Sequence, residues 1–189
     1  MNAFTFLPVT TQNWSDFETV MGPRGATGGC WCMYLRQSAA EFDSKKGDQN
    51  RLEMKGIVET GEVPGILAYI DGQPAGWCSV APREAYHRLE RSRVAKRLDD
   101  QPVWSVICFF IHKDFRHIGL SAALLNAAVD FARQHGARII EGYPVEPKKD
   151  KMPDVFAWQG FAGVFRKVGF KEVARRTETR PYMRLILED

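Results

Sequence analysis

Residues 103–125, VWSVICFFIHKDFRHIGLSAALL, hold the sharpest local chemistry in the chain. An apolar run passes through a turn carrying Arg116 and His117, and Gly119 stands where a helix begins. The first turn of a helix exposes unpaired N–H groups at the positive end of its dipole, so it attracts phosphate. Glycine permits close backbone approach, Arg116 adds charge and His117 a donor. The plainer alternative is a tight strand-to-helix turn. A second feature is Glu141, set among apolar neighbours in ARIIEGYPV, with Tyr143 on the same face by the two-residue strand period. Desolvation there would suit a general base; the alternative is a structural carboxylate paired with Arg or Lys. Cys30 and Cys32 flank Trp31, but a zinc site needs more ligands than this pair offers, so no metal is expected. A cysteine nucleophile would need a paired base, and none is near in sequence. The four histidines are scattered and read as surface or capping residues.

Elements that position these residues follow from periodicity. Residues 4–9 read as a strand and 11–21 as an amphipathic helix. Four glycines between Gly22 and Gly29 demand a loop, ending in the aromatic-rich CWCMY. Ser38 can cap a polar helical region running toward Thr60. GILAYIDGQPAGWCSV reads as two strands turning at Asp71-Gly72. Residues 83–97 read as a basic helix, with six Lys or Arg against two Glu. It is a solvated face or, alternatively, a contact for RNA, membrane or an acidic substrate. The run 103–111 reads as a strand buried on both sides. Leu120, Ala123, Leu124, Ala127, Ala128 and Phe131 mark one buried helical face, which Gly136 ends. A strand over 137–145, the polar loop PKKDKMPD, a short helix closing at Gly169 and two final strands complete the order. This is one mixed α/β domain, residues 1–189, and the helix from Ile118 to His135 is a crossover between parallel strands.

With 189 residues, 44% hydrophobic and 26% charged, the chain has the composition of a globular protein. A net charge of +3 gives no reason to expect nucleic acid as a partner. No apolar run matches a membrane span and no signal peptide is visible, so a cytoplasmic protein with reduced thiols is expected.

The motifs resemble those of the GNAT superfamily of acyl-CoA-dependent N-acetyltransferases. That family carries Arg/Gln-x-x-Gly-x-Gly/Ala after its fourth strand, and this chain has Arg116-His117-Ile118-Gly119-Leu120-Ser121. The family also has Tyr-x-x-x-Gly-Phe at its last helix, and here Phe165-Arg166-Lys167-Val168-Gly169-Phe170 stands there. The GGCWCMY and GWCSVAPRE stretches resemble a bacterial branch of it. The resemblance implies an acyl-CoA N-acyltransferase fold and acetyl-CoA as co-substrate. Backbone N–H groups of Ile118, Gly119, Leu120, Ser121 and Ala122 would hold the pyrophosphate. The main chain of Phe109, Phe110 and Ile111 would pair with the pantetheine arm, and one N–H would polarise the thioester. The strand after the crossover helix would splay from its neighbour.

Two departures from the pattern stand out. Ser121 replaces a smaller residue. Phe165 replaces the tyrosine that often protonates the leaving thiolate. A thiol with pKa ~8.5 leaves readily as thiolate, at only about 1.4 kcal/mol per unit. A lysine-like amine of pKa ~10.4 lies about 3 units above neutrality, roughly 4 kcal/mol, so proton removal from the acceptor weighs more. Glu141 with Tyr143 is the base candidate. Trp31, Tyr34 and Trp77 point to a small or apolar amine acceptor; a protein amine and a homodimer remain open. The alternative function is a catalytically silent acyl-CoA sensor of the same fold.

Overall fold

Alternating and continuous apolar runs give seven strands in a single sheet of order β1-β2-β3-β4-β5-β7-β6. The computed structural model describes residues 3–148 and 157–188. The strands are β1 (Phe4–Pro8), β2 (Gly65–Ile70), β3 (Gln73–Pro82), β4 (Trp104–Ile111), β5 (Ile139–Gly142), β6 (Lys171–Thr177) and β7 (Arg180–Ile186). Neighbours run antiparallel except β4 and β5, which are parallel. The helices are α1 (Trp14–Met21), α2 (Ala39–Lys45), α3 (Asp48–Glu59), α4 (Leu120–Gln134) and α5 (Ala162–Val168). Most of the PKKDKMPD loop lies outside the described residues.

Burial on both faces explains why the central strands lack a polar side. Ile66, Ala68 and Ile70 of β2 join Cys78, Val80 and Val106 beneath α4. Leu67 and Tyr69, one residue out of phase, pack with Trp77 against α1 and α3 through Phe17, Met54 and Val58. The β2–β3 hairpin turns at Asp71 and Gly72, with φ of 48° and 81°. Two positive values are what a primed two-residue turn requires, and they match the twist of the strands. Ser38 caps α2 through its side chain and accepts from Glu41 N–H, while Glu41 reciprocates at the Ser38 N–H.

Two expectations change. The helical region toward Thr60 is two helices, because Lys46 leaves helical geometry and Gly47 has φ 90°. The expected basic helix over 83–97 is two short 3-10 turns, Arg83–Ala85 and His87–Arg91, followed by irregular chain. Its first arginine is not solvated: Arg83 is 1% exposed. Leu89 and Ala95 are drawn into a third core with Tyr86, Tyr143 and Tyr182, which no helical period anticipates.

At the far edge, Glu146 accepts from Arg166 of α5 and Arg175 of β6, and Glu172 accepts from Arg175. The arginine hydrogen bonds hold both carboxyls below their ordinary values, chiefly through Arg166 for Glu146 and Arg175 for Glu172. Arg184 does the same for Asp99. A carboxyl lowered in the folded state stabilises the fold above its unfolded value, and that contribution disappears as pH falls through the folded one. Thermal scans should therefore show a Tm that is flat between about pH 7 and 5 and declines below about pH 4. A Tm unchanged down to about pH 3 would rule these pairs out as stabilising contacts.

Candidate active site

A cleft opens where β4 and β5 part company. They pair at Trp104–Ile140, Ser105–Glu141 and Val106–Gly142 and no further. Beyond that point the chain after β5 turns aside, and Val145 bridges Phe161 instead. Ile107 is an extra residue in β4, between the pairs Val80–Val106 and Ser79–Cys108. Such a bulge bends a strand and increases its twist. His112 N–H donates to Ala75 O, so by alternation Phe109 and Ile111 turn their N–H groups away from β3, toward the opening. Phe109 N–H donates to Trp158 O at 2.6 Å, so a carbonyl oxygen already sits at this donor.

Gly142 marks the separation point for a steric reason. A Cβ there would lie 2.1 Å from Phe165 Cε1. The Phe165 ring, 0% exposed, occupies this space and meets Phe109 edge-on at 5.9 Å.

At the other end of the cleft, α4 begins at an N-cap Gly119 with φ 86° and ψ 0°. His117 also has positive φ, 63°, an uncommon state for a non-glycine residue. Left-handed residues on either side of Ile118 turn the backbone sharply, and successive N–H groups in such a turn can form an anion-binding concavity. Arg116 is anchored by its Nε donating to Ile111 O at 3.1 Å. The resulting cavity, about 370 Å³, is lined by Phe109, Phe110, Ile111, Arg116, His117, Gly119, Leu120 and Ser121. Ile118 and Ala122 flank it without lining it, and Phe165 forms a layer beneath Phe109 rather than part of the wall. Thr27, Phe115, Ala157, Trp158, Gly160, Phe161 and Val164 also contribute. Sequence reasoning missed these because they carry neither a period nor a motif.

A model described as the Acetyltransferase (GNAT) family matches residues 31–161. The chain belongs to the GNAT acetyltransferase family. Among solved structures similar to this GNAT chain is a GNAT-family acetyltransferase from Streptococcus agalactiae, 13% identical, with 98% of this chain and 96% of that one covered and a TM-score of 0.58. Another is the aminoglycoside N-acetyltransferase AAC(6')-Iy in complex with CoA, 14% identical, covering 93% and 92%, TM-score 0.54. A third is the PaiA N-acetyltransferase from Thermoplasma acidophilum in complex with coenzyme A, 10% identical, covering 98% and 99%, TM-score 0.55. At these identities the likeness concerns the fold. No curated protein matches the sequence.

The residues expected to do proton chemistry in this GNAT domain sit elsewhere. Glu141 is 0% exposed and lines neither cavity. It accepts from Tyr143 Oη at 2.8 Å, Tyr182 Oη at 2.6 Å, Arg184 Nε at 2.8 Å and Arg83 Nη1 at 3.2 Å. Four donors occupy its oxygens, so the arrangement is that of the paired structural carboxylate and not of a base facing a substrate. Tyr143 shares its face, as the strand period requires, but its hydroxyl is bonded to Glu141, Arg83 and Ser105. Burial, then the Glu141 charge, push its pKa well above the ordinary value, so it stays protonated.

The expected aromatic acceptor wall is also redistributed. Trp31 and Trp77 are 5% and 0% exposed and belong to the second core with Phe17. Trp77 Nε1 donates to Cys32 Sγ at 3.0 Å, and Cys32 Sγ lies 3.1 Å from Cys108 Sγ on β4. CWCMY is thus a plug beneath β4. Gly25 is needed beside it, because a Cβ would fall 2.2 Å from Trp31 Nε1. Cys30 and Cys108 are poor nucleophiles: burial raises Cys30 to about 11, and the Cys32 hydrogen bond followed by burial raises Cys108 well above its ordinary value. Tyr34 does reach a cavity. It lines a second, larger one of about 1030 Å³, together with Arg36, Arg88 and Arg180. Trp158 lines both cavities and is their common wall.

Proposed function

We propose that this GNAT protein transfers an acetyl or other short acyl group from acyl-CoA to an amine by direct attack. The observation that carries the reading is the separation of β4 from β5 beyond Val106–Gly142, which leads an exposed strand edge to the N-terminus of α4. The pyrophosphate would lie against the backbone N–H groups of Gly119, Leu120 and Ser121, with Arg116 supplying positive charge. The pantetheine arm would run along Phe109, Phe110 and Ile111 as an added strand. Phe109 N–H would turn from Trp158 O to the thioester oxygen, where it stabilises the negative charge that develops as the carbonyl carbon becomes tetrahedral. The amine nitrogen forms the new C–N bond, the C–S bond breaks, CoA leaves as thiolate, and the amine proton passes to water. Phe165 donates no proton, which a thiolate leaving group tolerates.

Two experiments test this. Calorimetric titration should give micromolar affinity for acetyl-CoA and desulfo-CoA and much weaker binding of ATP. Failure to bind either CoA compound would overturn the reading. Binding with no free-thiol release across an amine panel would favour the acyl-CoA sensor. Arg116→Glu should weaken acetyl-CoA binding tenfold or more by opposing the phosphates; an unchanged affinity would place the pyrophosphate elsewhere.

A further inference from the structure

The larger cavity has a charge pattern that the smaller one lacks. Its wall includes Arg36, Lys45, Arg88, Arg91 and Arg180, with His87, against Glu41, Glu53 and Glu62. All three carboxylates are already engaged. Glu62 accepts from Arg36 Nη1 at 2.8 Å, Glu53 from Lys45 at 2.6 Å and Gln37 at 2.6 Å, and Glu41 from the Ser38 N–H at 2.9 Å. Among the described residues, Arg88, Arg91 and Arg180 have no carboxylate within ion-pair distance. Arg180 is half-buried, its side chain donates from Nη1 to Gln159 Oε1 at 3.1 Å, and burial lowers its pKa. Arg36 sits behind them, with Nε and Nη2 buried and lacking a partner. Holding cations partly out of water without counter-charge is unfavourable, and a bound anion relieves it.

Position adds direction to this charge. Arg88 lies over the Tyr34 ring at 4.0 Å, and Tyr34 meets Trp158 edge-on at 5.6 Å. Arg180 reaches the adjacent Gln159. Arg180 is therefore tied to the segment that carries Trp158, and Arg88 stands on Tyr34, the ring that packs against Trp158; Trp158 lines both this cavity and the CoA cleft. An acceptor held at the two arginines lies in the cavity that shares Trp158 with the CoA cleft.

We propose that the larger cavity takes a small primary amine bearing its own anionic group, a carboxylate or a phosphate, which Arg88 and Arg180 hold. This rests on the acyl-transfer reading above and names its acceptor class. Of the small or apolar amine expected from Trp31, Tyr34 and Trp77, it keeps the small size and sets aside the apolar character. Planar guanidinium groups suit either oxyanion, because each offers paired donors to two oxygens.

The test is free-thiol release from acetyl-CoA with matched acceptors: an α-amino acid, its carboxamide, an amino-sugar phosphate and an uncharged-chain diamine. An anionic acceptor should exceed the carboxamide and the diamine at least tenfold in kcat/KM, and comparison of amino acid with amino-sugar phosphate tells which anion is read. Arg88→Gln and Arg180→Gln should each raise the KM of that acceptor tenfold or more and leave the KM of acetyl-CoA unchanged. Equal or better turnover of the carboxamide or the diamine overturns the proposal. So does an anionic preference that survives both substitutions, or no transfer to any of the four by protein that binds acetyl-CoA in calorimetry. If the unaltered protein does not bind acetyl-CoA, the acyl-transfer reading itself falls and this inference with it.

Discussion

Glu141→Ala is expected to lower unfolding stability by about 3–5 kcal/mol, the cost typical of breaking a buried ion pair from one side. The Arg83 side chain is 1% exposed and Arg184 is 10% exposed, so two guanidiniums would keep their burial and lose their shared carboxylate. Arg184 retains Asp99, at 2.5 and 3.0 Å, but Arg83 would be left with Glu90, Ala95 O and the tyrosine hydroxyls. Since whole domains are stable by only about 5–15 kcal/mol, this single change should shift a urea midpoint visibly. A loss below about 1 kcal/mol would show that the network contributes little. Glu141→Gln separates structure from chemistry. It keeps the shape and one acceptor oxygen, so folded protein is recoverable. Its kcat should then match the unaltered protein with the same pH profile. A kcat loss of about a hundredfold with a displaced profile would restore Glu141 as the base.

Gly142→Val should be the most damaging small change near the cleft. Its Cβ would stand 2.1 Å from Cε1 and 2.8 Å from Cζ of Phe165, far inside contact distance. Phe165 cannot retreat freely, since its ring also meets Phe170 at 4.9 Å and Phe109 at 5.9 Å. Overpacking of this kind costs about 1–3 kcal/mol, and here the displaced ring pushes on Phe109 in the cleft wall. We expect lower stability together with weaker acetyl-CoA binding. Phe165→Leu in the same chain should recover part of both, because the two positions share one space. If the double variant is as impaired as the sum of the singles, the clash is not the cause.

The elements were legible where local physics decides them. Asp71-Gly72 dictated its hairpin, the Leu120 to Phe131 stripe dictated α4 with Gly136 just past its end, and Gly169 closed α5, because turn geometry and burial periodicity act over a few residues. Residues 103–111 announced strand β4, buried over Ser105 to Ile107 and half-buried from Cys108 to Ile111 beside the cleft, and the Arg116 to Ser121 motif announced the turn that starts α4. The 83–97 segment misled because helical charge spacing says nothing about a single arginine recruited inward. Arg83 reaches Glu141, which lies 58 positions away in the chain, and only tertiary packing brings them together. The same holds for Trp31 and Trp77. Their aromatic character is visible in the sequence, but whether a ring lines a cavity or fills a core depends on which elements close over it. Short-range preferences were enough to specify the strand-turn-helix, the hairpin and the crossover. Tertiary packing made Glu141 an ion-pair partner, set Trp31 and Cys32 under β4, and put Arg88 and Arg180 on a cavity wall shared with Trp158. Those outcomes depend on long-range contacts, and local spacing carries no information about the charges and rings that will meet there.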